Sequence, residues 1–455
     1  MPNDNETYSF NDITNILSIS KSVINSWVVS GKLKPINPEE KDNWRFDKKQ
    51  LLNFEEFKAM DSSSWGKELI SKPKRKYSSV ELFAGAGGLA LGLESAGFEA
   101  ILLNEIDKNA CDTLKVNRPN WNVLHEDISN LDFSFLKNKI DFVSGGFPCQ
   151  AFSYAGNKLG FEDTRGTLFF EFARAIKEIK PKVFLGENVK GLLKHEEGKT
   201  LSTITSILED LGYTLIPPKV LKAIFYKVPQ KRERLLIVGI RNDLTENFGF
   251  SWPSPYKRIM TLKDALYKGE LFDSDVPESI GQKYPKRKKE IMDKVPQGGY
   301  WKDLPDDLQK EYMQKSFYLG GGKTGMARRL SLDEPSLTLT CAPAQKQTER
   351  CHPLETRPLT VREYARIQTF PDSWKFSGSL SSQYKQIGNA VPVNLAAAVG
   401  RSLIRLLNSI EQNSNEVLYK PDIRISNKKQ NQMLFILNQE VESYITKYTE
   451  KENES

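Results

Sequence analysis

Residues Gly145-Gly146-Phe147-Pro148-Cys149-Gln150 set a single thiol in a glycine–proline turn directly after an apolar run, Ile140-Asp141-Phe142-Val143-Ser144. Free cysteines are usually small buried hydrophobes. The neighbours argue otherwise here. Proline fixes φ and removes a donor, paired glycines permit close backbone approach, and the carboxyl end of a strand in an open α/β sheet is where ligands bind. Cys149 is therefore the candidate nucleophile. An ordinary thiol is only a few per cent thiolate near neutrality, so its loop must supply backbone donors or positive charge. Two charged groups follow apolar or lead into apolar runs of the same kind. Glu187 comes after Pro181-Lys182-Val183-Phe184-Leu185, as an acid for proton chemistry or as a surface carboxylate at a strand terminus. Gln230-Lys231-Arg232-Glu233-Arg234 leads into Leu235-Leu236-Ile237-Val238-Gly239-Ile240. A guanidinium fork suits a carbonyl oxygen or a phosphate, whereas the run taken alone reads as solvated charge.

A second constellation suits a nucleoside cofactor. Ser79-Val80-Glu81-Leu82-Phe83 reads as a buried strand, Ala84-Gly85-Ala86-Gly87-Gly88 as a glycine-rich turn, and Leu89 to Ala96 as a helix. The next strand, Ala100-Ile101-Leu102-Leu103-Asn104, ends in Glu105. That acid falls about 20 residues past the first glycine, where a ribose hydroxyl is expected. A third strand, Trp121-Asn122-Val123-Leu124, closes on His125-Glu126-Asp127-Ile128; Asp127 suits either an adenine amino group or a turn cap.

Taken together, these residues resemble the DNA cytosine-5 methyltransferases, especially those of bacterial type II restriction–modification systems, from about Tyr77 to Leu407. Phe83 to Gly88 is similar to the S-adenosylmethionine loop of that family, and Gly146-Phe147-Pro148-Cys149-Gln150-Ala151-Phe152-Ser153 to its catalytic loop, followed by Asp163 to Phe169. Glu187-Asn188-Val189, Gln230 to Arg234 and Gln386-Ile387-Gly388-Asn389-Ala390-Val391-Pro392 match further motifs in order. The resemblance implies that Cys149 adds to carbon 6 of a cytosine flipped out of the duplex, making carbon 5 nucleophilic enough to take a methyl group. It also implies that Glu187 binds N3, Arg234 holds the base carbonyl, and Arg232 lies near the loop and the DNA backbone. Asn188 would position Pro148-Cys149, Gln150 and Ser153 would contact the opened strand, and Gly145, Gly146 and Gly156 would hinge the loop. S-adenosylmethionine would lie against Phe83, Gly85, Gly87, Gly88, Leu89, Glu105, Ile106, Asp127, Ile128, Pro148, Asn389 and Val391, with no metal. Ile106 departs from the pattern, since many relatives place an aromatic ring there.

The elements that must carry these groups imply an α/β fold: a Rossmann-like S-adenosylmethionine-dependent methyltransferase domain with a parallel sheet and right-handed crossovers. To it are added a smaller target-recognition domain and an N-terminal helix-turn-helix-like module. Residues 1–60 form the module, 61–76 a solvated basic linker, 77–254 the catalytic domain and 255–385 the recognition domain and hinge. Residues 386–408 return as one helix to complete the catalytic domain, and 409–455 are a polar extension in which Met433 to Leu437 is amphipathic. In the module, Asp12 to Leu17 and a helix carrying Val23, Ile24, Trp27 and Val28 precede a wing at Trp44-Arg45-Phe46, similar to excisionase-like and winged helix-turn-helix domains. A plain helical interaction module has the same pattern. In the recognition domain Arg328, Arg329, Gln345, Lys346 and Gln347 are candidates for base or phosphate contact.

With 455 residues the chain invites two or three domains, and a formal charge of +7 suits a polyanionic partner. Four cysteines without a Cys-x-x-Cys pair and only three histidines argue against a structural zinc site or a disulfide framework. No apolar run approaches a membrane span, so a cytoplasmic monomer is expected. Its partners are double-stranded DNA and, functionally, a cognate restriction endonuclease. Two alternatives are an RNA cytosine-5 methyltransferase and a catalytically silent DNA-binding regulator; the long basic insert and the intact Cys149, Glu187 and Arg234 oppose them.

Overall fold

The computed structural model describes residues 7–148, 167–245 and 249–413. Strand β1 (Thr7–Ser9) runs into α1 (Phe10–Leu17) through a capping box: Ser9 Oγ accepts from the Asp12 N–H, and the Asp12 carboxylate accepts from the Ser9 N–H at 2.8 Å. Helix α2 (Lys21–Val29) begins after Ser20, whose hydroxyl meets that of Ser22 rather than a backbone N–H. Strand β2 (Arg45–Asp47) pairs antiparallel with β1, and Asp47 caps α3 (Lys48–Leu51). Helix α4 (Glu55–Asp61) closes the module. Its core, including Ile13, Ile24, Phe46 and Phe57, continues into Ile224 and Ile259, so the module is packed onto the body.

The segment expected as a solvated linker is exposed at Lys72, Lys74 and Lys76, but Trp65 and Arg75 anchor it as a strap. Trp65, at the start of α5 (Trp65–Leu69), is buried against the rings of Tyr226 and Tyr256. Arg75 grips Asp141 through two nitrogens at 2.7 and 2.5 Å and Glu411 through Nε at 2.6 Å. Composition suggested solvent because these charges find partners only far along the chain.

Eight β-strands and the helices between them follow in chain order: β3 (Tyr77–Leu82), α6 (Gly88–Ala96), β4 (Phe98–Glu105), α7 (Lys108–Asn117), β5 (Val123–His125), β6 (Phe142–Gly145), α8 (Leu168–Ile179), β7 (Val183–Val189), α9 (Lys199–Asp210), β8 (Tyr213–Lys222), β9 (Gln230–Lys231) and β10 (Glu233–Arg241). Seven of the strands make one sheet in the order β5-β4-β3-β6-β7-β10-β8. The first five are mutually parallel, but β10 inserts antiparallel to both β7 and β8, correcting the all-parallel expectation. The connection from β8 to β10 holds only a short 3₁₀ turn, Ala223–Tyr226, and β9. It has no crossover helix, so the chain must come back in the opposite sense. Alternation along β10 sorts the two layers. Leu236, Val238 and Ile240 pack with α6 residues Leu89 and Leu93 and with Leu395, Val399 and Leu403, while Leu235 and Ile237 face Phe172 and Ile176 of α8 and Ile207 of α9.

Beyond the sheet lie α10 (Leu262–Leu266), α11 (Lys286–Met292), α12 (Asp306–Met313) and β11 (Ser336–Leu337). Strand β11 pairs parallel with β9, fastening the segment after β10 to the motif strand. Helix α13 (Val361–Ile367) starts with a capping box between Thr360 and Glu363. The single return helix expected from Gln386 is two: α14 (Leu380–Asn389) and α15 (Val393–Asn413). Pro392 separates them because it has no N–H to donate and restricts the residue before it. The stretch Leu380–Gln412 is also long and apolar enough to cross a membrane, contrary to the reading from composition, but 78% of its window is buried inside the protein. It is apolar because it covers one face of the sheet. The amphipathic stretch Met433 to Leu437 lies outside the described residues.

The Arg75 strap makes a test. Burial opposes ionisation of Asp141, yet the Arg75 hydrogen bonds and the Lys182 and Arg75 charges hold its carboxyl below the usual range. Arg75→Ala should cost about 2–3 kcal/mol at neutral pH, discounted for the partly exposed guanidinium, read as a lower urea midpoint. The lowered native pKa makes this stability present above the ordinary aspartate pKa and lost as pH falls through the native one. The difference between variant and wild type should therefore shrink in acid.

Candidate active site

Glu187 and Arg234 meet because of strand register. Glu187 in β7 stands opposite Leu236 in β10, and Arg234, two residues before Leu236, shares its face. Arg234 Nε reaches Glu187 Oε1 at 2.5 Å, with about one-eighth of each side chain exposed (12% and 13%). The Arg234 Nη1 also donates to the Glu233 carbonyl at 2.8 Å. A carboxylate and a guanidinium thus stand together at one sheet edge, offering an acceptor and planar donors to a polar ring.

The peptide leading into the thiol is held against this pair. Asn188 Nδ2 donates to the Phe147 carbonyl at 2.9 Å, and its Oδ1 accepts from the Val189 N–H at 2.8 Å. The Phe147 ring packs on Phe169 and Phe172 at 5.3 Å each, while Pro148 is exposed. Gly146 leaves room for the acid: a Cβ there would sit 3.0 Å from Glu187 Oε2. Cys149, Gln150 and Ser153, like Gly156, lie outside the described residues.

The second half of the site is the glycine loop at the end of β3. Phe83 takes a left-handed backbone with φ 58°, and Gly85 and Gly87 do so at 55° and 81°. Glu105 spans the loop, with one oxygen accepting from the Gly85 N–H and the other from the Asp107 N–H, both at 2.7 Å. The space a Cβ of Gly85 would occupy is open. At Gly88 a Cβ would lie 2.3 Å from the Val391 carbonyl, so the bare Cα is what lets the terminal motif close on the loop. Leu89 is buried and Ile106 is 63% exposed. An open loop floor, a carboxylate beside it and an exposed apolar side chain form a cradle that fits a nucleoside.

Other predicted residues take structural work. Asp127 Oδ1 accepts from the Ser129 N–H and hydroxyl, which lower its pKa, so this oxygen caps the turn. Ile128 is buried and its carbonyl accepts from Arg174. Asn389 is exposed; its Oδ1 accepts from the Cys341 thiol at 3.2 Å, and Val391 is buried beside it. Arg232 corrects the expectation of a backbone-contacting side chain: it is 2% exposed and donates to the Asn389 carbonyl at 3.2 Å and, more weakly, the Leu339 carbonyl at 3.5 Å. Burial, then the Arg234 charge, lowers its proton affinity, while Glu187 and Cys341 oppose that. Arg329 is likewise unavailable to DNA, since its guanidinium is given to the carbonyls of Val295, Met292 and His352 and to the Thr356 hydroxyl. Cys351 and His352 are buried.

Sequence reasoning missed three supports. Cys341 comes from far along the chain to stand beside Asn389. The buried amides of Gln230 and Gln368 bond at 2.8 Å, and Gln368 Nε2 also donates to the carbonyls of Ile387 and Ala390. Glu81, an acid inside an apolar strand, was the one signal legible in advance. It is 5% exposed, beside Ser144 of β6 in register, and its Oε2 and the Ser144 hydroxyl lack partners among the described residues.

With this geometry in place, the comparisons with known proteins are direct. Residues 77–405 match the family model of C-5 cytosine-specific DNA methylases. The chain is 65% identical over 408 residues to the type II methyltransferase M.Eco47II of Escherichia coli, covering 90% of this chain and 97% of that one. It is 64% identical over 397 residues to M.PspPI of Psychrobacter sp., covering 87% and 95%. A solved structure described as a DNA modification methyltransferase encoded within an E. coli prophage shares 26% identity and a TM-score of 0.53, covering 73% of this chain and all of that one. The chain belongs to the C-5 cytosine-specific DNA methylases. Its activity is methylation of cytosine carbon 5 in DNA, in the role of a type II restriction–modification methyltransferase. Neither RNA methylation nor a silent regulator is favoured by these matches.

Burial, and secondarily the Glu105 charge, pushes the Glu81 carboxyl up to about 8, against the backbone hydrogen bond from Ala90. A raised native pKa means the folded state keeps a proton the unfolded chain releases, so stability is lost progressively from the ordinary glutamate pKa up to the native one. Glu81→Gln should therefore melt progressively higher than wild type between pH 5 and 8, with little difference near pH 4. Parallel melting curves across that range would contradict the assignment.

Proposed function

We propose that this methyltransferase acts on a cytosine extruded from a short specific sequence in duplex DNA, protecting host DNA from a cognate endonuclease. The observation that carries the reading is the Glu187–Arg234 pair at the sheet edge where Asn188 holds the approach to Cys149. In this reading Cys149 adds to carbon 6, and the electron density displaced toward N3 is met by the Glu187 carboxyl group. Arg234 orients the base through its carbonyl oxygen. Asn188 is a positioning residue, since its amide cannot titrate. Gln150 and Ser153 contact the opened strand. Removal of the carbon 5 proton and elimination of the thiol then release the methylated base.

S-adenosylmethionine, when bound, supplies an electrophilic methyl group on a sulfonium. Glu105 would hold its ribose, Ile106 its adenine face, and Phe83, Gly85, Gly87, Gly88, Leu89, Pro148, Asn389 and Val391 would line the rest. Asp127 would serve the adenine through its remaining carboxylate oxygen, beside Ile128. The enzyme is expected to work as a cytoplasmic monomer. The N-terminal module would add a DNA contact: α2 presents Lys21, Ser22, Asn25, Ser26 and Val29 on its exposed face, residue types that suit phosphates, base edges and thymine methyls.

Two experiments test this. Cys149→Ser should abolish transfer of labelled methyl groups to unmethylated genomic DNA while DNA retention persists; undiminished methylation would refute the nucleophile. Replacing Lys21 and Asn25 together by alanine should weaken DNA retention several-fold with cofactor affinity unchanged. Equal retention would leave the module as a plain interaction domain.

A further inference from the structure

One apolar pair on the recognition domain is used by nothing in the catalytic reading. Between Glu311 and Asp333 the chain has no acidic residue and carries four cations, Lys315, Lys323, Arg328 and Arg329. In the middle of that stretch Tyr318 and Leu319 stand 81% and 65% exposed. Single exposed apolar side chains are ordinary. A contiguous aromatic–aliphatic pair next to Gly320-Gly321-Gly322, inside an acid-free segment, calls for a partner that is apolar at close range and anionic around it. Nucleic acid has that chemistry, with base faces inside and phosphates outside.

The pair stands on an aromatic step. The Phe317 ring packs on Trp301 at 6.0 Å, and the Tyr318 ring stands edge-on to Phe317 at 5.3 Å. Lys323 Nζ donates to the Ser316 and Leu319 carbonyls, closing the loop on itself. Arg328 braces it from below, donating to the Thr324 and Gly298 carbonyls over the face of Tyr300. Two of the cations, Lys323 and Arg328, thus hold the loop, and Arg329 is buried in the domain. Lys315 is exposed.

The mount leads back to the active site. The Gly325 carbonyl accepts from the Glu349 N–H at 2.9 Å, and the adjacent Arg350 guanidinium holds the Thr338 carbonyl at 2.5 Å. Thr338 Oγ1 donates to the Lys231 carbonyl at 2.6 Å, one residue before Arg232. Short polar links thus connect the tip to β9, which directly precedes the strand that carries Arg234.

We propose that Tyr318 and Leu319 enter the base stack of the bound duplex as a wedge, the tyrosine ring against a base face and the leucine in the opened step. Side chains of these kinds unstack base steps in other DNA-binding proteins, and base–aromatic stacking is sequence-tolerant. The inference rests on the duplex-DNA reading above. It makes the tip a contributor to DNA distortion rather than to phosphate binding.

The test uses the full chain and a duplex fragment of unmethylated genomic DNA that the wild type retains. The double variant Y318A/L319A should raise the Kd for this duplex, read by fluorescence anisotropy, about tenfold. Its slope of log affinity against log salt, its S-adenosylmethionine affinity and its melting temperature should be unchanged. Y318F, which keeps the ring, should bind within about twofold of wild type. Lys315→Ala is the contrast, expected to reduce the salt slope by about one. The wedge is overturned if the double variant binds as wild type does, if Y318F is as impaired as the alanine variant, or if the double variant flattens the salt slope. Anisotropy needs no methyl transfer, so an inactive wild type that still binds DNA would refute the catalytic reading and leave the wedge result standing by itself.

Discussion

The site is held together by the direction of one strand. Because β10 runs antiparallel beside β7, the carboxyl end of β7 and the amino end of β10 lie at the same edge of the sheet. Only that arrangement sets Glu187 and Arg234 on one face within ion-pair distance. Had β10 entered parallel, the guanidinium would have been carried to the opposite edge, a full strand length away. The pair is mostly buried, and each charge would be costly there without the other. The same edge receives Phe147 and Pro148 from the end of β6, so the segment leading to Cys149 begins where the Glu187–Arg234 pair already stands.

A second closure joins segments distant in sequence. Helices α6 and α15 cover one face of the sheet, and the turn between α14 and α15 brings the Val391 carbonyl onto Gly88. Arg232 lies at the meeting point of the motif strand, the recognition segment and this turn, donating to carbonyls 107 and 157 residues away. Two of its nitrogens find carbonyls there, while Nε has no partner among the described residues, so the burial is only partly compensated. The result is that the motif strand β9, the Leu339 segment and the turn after α14 share one buried polar junction. Movement in any of them must disturb its hydrogen bonds.

Much of the frame was legible in the amino-acid order. The apolar runs read as strands became β3, β4, β6 and β7 within a few residues, and the helical stretch Leu89 to Ala96 became α6. These signals are local: a period of two or of 3.6 belongs to the segment itself. Strand β8 was not legible, since Pro217 and Pro218 argue against a strand; it survives as an edge strand on β10 because the two prolines fall at a break in register between the Ile216–Val238 and Lys219–Leu236 pairs. The strap around Arg75 and the burial of Arg232 and Arg329 were not legible either. Charged residues cluster in the chain in the same way whether they meet solvent or distant carbonyls.

The sequence by itself determined the chemical parts and their order: a thiol after a strand, a glycine loop with an acid following it, an acid and an arginine at the ends of apolar runs, and a terminal motif. Covalent order and local periodicity are properties of the chain alone. Only the tertiary structure decided which of these parts touch, that β10 turns back, that Asp127 caps a turn, and that Arg232 is a buried junction rather than a surface contact. The physical reason is that burial and pairing depend on partners far along the chain, and no local pattern records where those partners will come to rest.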